Sequence, residues 1–193
     1  MTQTFETPTL STTGAATTTT TATTTLPMTT TAGTYVRSNQ LADRLEAGAL
    51  ALMHLALTLS DEEWTMKMPG DGRTVGVIVH HVGFVYPVEI QLAQTLAKGQ
   101  PVTGVTMADV HAMNAKHAID FAAVTKAEAV GLVRDNAAAA AQAIRALSDE
   151  QLANAAPASL YADAPVTCQF MLEDHAVRHS YHHLARLKTL LER

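Results

Sequence analysis

Residues 172–190 read Leu172-Glu173-Asp174-His175-Ala176-Val177-Arg178-His179-Ser180-Tyr181-His182-His183-Leu184-Ala185-Arg186-Leu187-Lys188-Thr189-Leu190, and the fold turns on their period. Apolar residues and histidines recur at helical spacing, which predicts a last helix over about 167–191. Leu172, His179, His183, Leu187 and Leu190 fall on one stripe, while Asp174 and Arg178, an i, i+4 ion pair, occupy the outer face with Arg186. Residues four apart on a helix differ by about 40° in direction and about 6 Å in height. His179 and His183 therefore point inward together, spaced to hold one ion or to be satisfied as core polar groups. An inward imidazole is costly unless its nitrogens find partners, so a third donor from another helix decides between these readings.

Working outward, Val77-Ile78-Val79-His80-His81-Val82-Gly83-Phe84 lies in a second predicted helix, from near Thr74 to about Lys98. Only one of two adjacent histidines can face a bundle centre. His81 is three residues after Ile78 and four before Val85, which puts it near the inner stripe and leaves His80 as a flanking polar residue. Pro87 removes the hydrogen bond to the Gly83 carbonyl, so a kink is expected there. Leu41, Leu45, Leu50, Met53, Leu55 and Leu57 suit a first helix over about 36–59. Ser60 with Glu63 reads as a capping box opening a short turn with Trp64, and Met68 to Gly72 as a turn.

A third helical stretch begins near Met107, is broken by a Thr125–Glu128 capping box, and runs through an Ala-rich segment to Leu147. Ser148 with Gln151 caps another short turn, and residues 155–166, with Pro157 and Pro165, read as a loop. No strand and no internal repeat is evident. The expectation is an all-α fold, a four-helix bundle.

Residues 1–33 differ. Thr fills about half of them, with almost no charge and no hydrophobic period, so they are expected to form a disordered tail before a domain over 34–193. The 193 residues carry 47% hydrophobic, 16% charged and 5% aromatic side chains, a mix that favours close-packed helices over an aromatic-rich sandwich. Lys and Arg are scattered and the net charge is -5, so nothing supplies the footprint of a nucleic-acid binder. The single cysteine, Cys168, excludes an internal disulfide and reads as a small buried apolar residue. No secretory signal is seen, and no apolar stretch of about 18 residues long enough to cross a bilayer. A cytoplasmic protein with no membrane contact is the expectation, and an Ala-rich bundle could pair as a homodimer.

Gly72-Arg73-Thr74-Val75 leading to His81, followed by His179-Ser180-Tyr181-His182-His183-Leu184-Ala185, resembles the DinB/YfiT-like superfamily, whose members include thiol-dependent enzymes such as a mycothiol-dependent maleylpyruvate isomerase. The likeness covers roughly residues 36–191, including Ala146 to Leu152 at the end of the third helical region. It implies an up-down-down-up four-helix bundle. It also implies a metal held by one histidine of the second long helix and two of the last, which map onto His81, His179 and His183.

Other residues stay open. His175, one turn before His179, could be a fourth ligand, a donor behind the ligands or a structural polar contact. His182 lies off the seam. Asn114, His117 and Asp120 could reach the cavity or form a solvated face, and Glu89 is a possible base. Tyr161 and Asp163 could line the mouth of a pocket, as could residues 65–73; His54 and His111 are unassigned.

Three imidazoles leave open positions on a divalent ion, Zn, Ni or Fe(II), where water or a thiolate binds. The expected function is a metal-dependent enzyme acting on a small molecule, with a low-molecular-weight thiol as co-substrate for transferase or isomerase chemistry. Metal-dependent hydrolysis, a non-catalytic metal-binding or sensing module, and a purely structural bundle are the alternatives. The His-Glu-x-x-His of zinc proteases, paired Glu-x-x-His motifs, a serine elbow and a phosphate loop are absent from the sequence.

Overall fold

The structure is a computed structural model that describes residues 33–192. The expected Thr-rich tail, apart from Gly33, lies outside the described residues. Side-chain caps set where most of the helices start, the first being uncapped in this way. Ser60 and Glu63 close a capping box at α2 (Asp61–Thr65), which follows α1 (Val36–Thr58). Thr74 accepts from the Val77 N–H at the start of α3 (Val75–Ala97). Thr106 with Asp109, Thr125 with Glu128 and Ser148 with Gln151 box the starts of α4 (Met107–Asp120), α5 (Lys126–Arg145) and α6 (Asp149–Ala153). Each such cap satisfies donors that the first turn leaves open and contributes about 1 kcal/mol. The last helix is composite: α7 (Cys168–Leu172), a π-helical stretch Glu173–Val177, and α8 (Arg178–Leu190). A π turn absorbs an extra residue, so the single stripe from Leu172 to His179 does not run through unbroken.

Cross-links between helices give the path of the chain. Arg145 reaches Asp43 and Glu46, while Leu50 and Met53 lie beside Arg134, so α1 and α5 run antiparallel. His80 lies beside Glu128 and Gly83 beside Val133, so α3 and α5 run parallel. Arg37 meets Gln169, and Gly48 meets Ser180, so α1 runs parallel to the last helix. Arg186 reaches back to Asp71 before α3, and Glu89 to His179, so α3 and α8 are antiparallel. The result is the up-down-down-up four-helix bundle, with α3 packed against α5 on one side and the last helix on the other.

Small residues let these helices approach closely. A Cβ on Gly83 would come within 2.8 Å of the Val133 backbone nitrogen in α5. Pro87 leaves the Gly83 carbonyl without its helical donor; Asn136 Nδ2 donates to it from α5 at 2.9 Å. At the start of α3, Gly76 makes room for Trp64, whose indole N–H donates to the Val124 carbonyl at 3.0 Å.

Two expectations need correction. The loop at 155–166 contains short antiparallel strands, β1 (Ala155–Pro157) and β2 (Pro165–Thr167), with Ala156 opposite Val166. Three residues are too few for an alternating pattern to register in sequence. In addition, α3 is by length and composition apolar enough to cross a bilayer, against the expectation that no stretch is. Most of it is buried inside the bundle, as in a core helix.

Candidate metal centre

Antiparallel packing of α3 on α8 brings His81 opposite His179 and His183. One ligand nitrogen from each of the three lies within 4.8 Å of the other two. His179 Nε2 stands 3.2 Å from His81 Nε2, and the ring centroids of His81 and His183 are 5.5 Å apart. His81 and His183 are buried and His179 is half-buried.

The nitrogens are arranged as a lone-pair cluster. Glu89, two turns after His81 on α3, accepts from His179 Nδ1 at 2.6 Å. With its Nδ1 proton on that carboxylate, His179 turns Nε2 toward His81. Burial, reinforced by the neighbouring His179, pushes His81 and His183 down to about 2, so both are neutral across the physiological range. The Nδ1 atoms of His81 and His183 are buried without partners, as is Glu89 Oε2. Crowded neutral imidazoles with unused nitrogens and a carboxylate behind them fit a divalent cation, a donor set suited to Zn, Ni or Fe(II).

The other candidates divide. His175 does not join the three: its Nε2 is 2.9 Å from the Tyr161 hydroxyl, which donates to Asp174 Oδ2 at 2.6 Å. Tyr161 thereby orders His175, while its neighbour Leu160 lines the cavity and Asp163 sits exposed in the turn with positive φ. Glu89, a possible base by sequence, holds His179 through Oε1. Asp120 is on the surface, paired with Lys116. Arg178 does pair with Asp174, at 3.2 Å. Cys168 is fully buried, and burial pushes its thiol up to about 12, so it is inert.

Of the two readings open for His117, cavity or solvated face, the structure gives neither a ligand position nor a wet one: it is buried with His80. They are only 2% and 6% exposed, and His80 Nδ1 lies 2.8 Å from His117 Nε2, one proton shared between them. Phe84 and Phe121 pack around the pair. His117 is the buried residue of α4, and it is buried by rings from α3 and from Phe121 at its own end. The single signal in the sequence was the matching of His80 and Phe84 with His117 and Phe121, each four apart.

Beside the three imidazoles a cavity of about 330 Å³ opens between α3 and α4. Val85, Val88 and Leu92 form one wall, Val110 and Met113 the other, with His81, His179, Glu89, Asp109, Asn114 and His175 as the polar lining. A mostly apolar pocket with a few convergent polar groups is the usual form of a small-molecule site.

A family model described as the DinB superfamily matches residues 44–187. No curated protein matches the sequence significantly. Among solved structures, YfiT from Bacillus subtilis, described as "a probable metal-dependent hydrolase with an unusual four-helix bundle topology", superposes with a TM-score of 0.65 at 16% identity, over 81% of this chain and 86% of that one. At that identity the likeness speaks for the fold.

Proposed function

The chain belongs to the DinB superfamily, and on that premise we propose that it is a metal-dependent hydrolase of a small, largely apolar molecule. The observation that carries this reading is the convergence of one nitrogen each from His81, His179 and His183, with His81 and His179 also lining an apolar cavity. His81, His179 and His183 would hold the ion, which when bound supplies Lewis-acid polarisation of a substrate oxygen and an acidified water. The apolar walls from α3 and α4 take the substrate body and exclude bulk water from the reacting end. Glu89 keeps His179 in the tautomer that offers Nε2, and its second oxygen, Oε2, is placed to accept the proton of an attacking water. The description of YfiT as a probable metal-dependent hydrolase supports hydrolysis over the alternatives. Thiol-dependent transfer rests on the superfamily resemblance alone.

Elemental analysis of the purified protein tests the metal half of the reading. About one equivalent of Zn, Ni or Fe is expected in the wild type and none in His81→Ala or His179→Ala. Absence of metal after divalent ions are supplied would sink the enzyme reading. Screening a panel of esters and amides with the metal-loaded protein, with and without added thiol, separates hydrolysis, which needs metal and water alone, from thiol-dependent chemistry.

A further inference from the structure

A cluster of Asp71, Arg73 and Arg186 stands beside the imidazoles and has no part in the chemistry above. Asp71 Oδ1 accepts from Arg73 Nε at 2.6 Å, and Asp71 Oδ2 from Arg73 Nη2 at 2.8 Å and Arg186 Nη1 at 3.2 Å. Two guanidinium charges on one carboxylate leave a net charge of +1 in the cluster (2 − 1). Arg73 Nη1 is the donor left over, buried and without an acceptor. A buried, charged N–H that has no acceptor is disfavoured and calls for an oxygen to complete it.

The cluster borders the cavity through one residue, Asn114. Arg73, Asp71, Arg186 and His111 line a second hollow of about 510 Å³. Asn114 lines both that hollow and the apolar cavity, so the two share a wall. The Asn114 Oδ1 atom is itself buried without a partner.

We propose that Arg73, clamped by Asp71, binds an anionic oxygen of the substrate, so that the site takes small carboxylic acids whose apolar body lies among Val85, Leu92 and Met113. The proposal rests on the reading of this site as a substrate pocket and narrows its substrate class. Asp71 acts as a positioning residue. It fixes the guanidinium by two parallel bonds, which leaves the remaining edge aimed in one direction. A purely structural Arg73 would tie the loop before α3 to α8 through Asp71, and its loss would lower stability without changing which ligands bind.

Calorimetric titration with hexanoate and its neutral isostere hexanamide distinguishes these, on metal-free and on zinc-loaded protein. Wild-type metal-free protein is expected to bind hexanoate about tenfold or more tightly than hexanamide, the effect of one charge-assisted bond. Arg73→Gln should abolish that preference while leaving hexanamide binding unchanged, and Arg73→Lys should restore part of it. Equal binding of the two probes, binding of neither, or a preference that survives Arg73→Gln overturns the proposal. So does a preference seen only with zinc and indifferent to Arg73→Gln, since the ion alone would then read the carboxylate. If Arg73→Gln does not fold, the Arg73→Lys variant decides by whether its hexanoate preference falls below that of the wild type. Failure of the metal-dependent reading shows separately, as absence of bound metal with the hexanoate preference intact in metal-free protein.

Discussion

The two sides of α3 differ in what they are made for. Toward α5 the helix is so close that Gly83 has no room for a methyl group, and Asn136 fills the one hydrogen bond that Pro87 removes. Toward α8 and α4 the same helix carries His81, Glu89 and the wall of a cavity. The lesson is a division of labour along one element. A tightly packed face holds the backbone still, and the opposite face presents His81 and Glu89, two turns apart, which meet His179 at its two nitrogens. Stability should therefore reside on one side and ligand binding on the other, and substitutions can separate them.

The largest expected effect is on the open side. His81→Ala is expected to remove bound metal altogether, whereas His80→Ala, one residue along, should keep it, as elemental analysis of the two purified variants would show. Glu89→Gln keeps the ligands but weakens the hold on His179, so metal affinity should fall about 10–100-fold in a competition with a chromogenic chelator. On the closed side, Gly83→Ala should cost about 1–3 kcal/mol in urea unfolding followed by circular dichroism, with metal content unchanged. Loss of metal in that variant would erase the distinction between the faces. Asn136→Ala, which strands the Gly83 carbonyl, should cost about 1–2 kcal/mol by the same measurement and likewise spare the metal.

The smallest effect is one of pH. The Arg73 guanidinium beside Asp71 holds its carboxyl down to about 2 from the ordinary 3.8. A carboxyl depressed in the folded state contributes stability above its unfolded value and loses it as pH falls through the folded one. Wild-type stability should therefore decline between about pH 4 and about pH 2 more steeply than that of Asp71→Asn. Identical slopes in acid unfolding would show that the pair adds nothing.

Much of this division could be read before any coordinates. The helices that run along the bundle have clean apolar periods, and Ser60, Thr125 and Ser148 announce their neighbours' starts three residues ahead of an acid or amide. His81, His179 and His183 could be named together because a helical period fixes direction within each of two helices. What periodicity cannot supply is the relation between helices. His117 stays open in sequence between a cavity and a solvated face, and its packing against Phe84 and His80 of another helix buries it. Glu89 could be placed two turns beyond His81, but its bond to His179 depends on the axial offset of two antiparallel helices, a distance that no local pattern encodes. The short strands at 155–157 and 165–167 fail for a different reason, being shorter than one period of evidence.

Trp64 is the sole tryptophan in the chain, and it lies 8% exposed against Gly76 on the first turn of α3. Its position makes it an optical gauge. Indole emission depends on how dry its surroundings are and on what its N–H meets, here the Val124 carbonyl. Emission from the intact molecule therefore reports one junction, where α2 and the start of α5 close over α3, and is blind to fraying elsewhere. His81 lies five residues further along the same helix. A colour shift on adding zinc would mean that the helix carries the event at its imidazole back to its own beginning, and a steady signal would mean that the binding end is filled without the rest of the bundle taking notice.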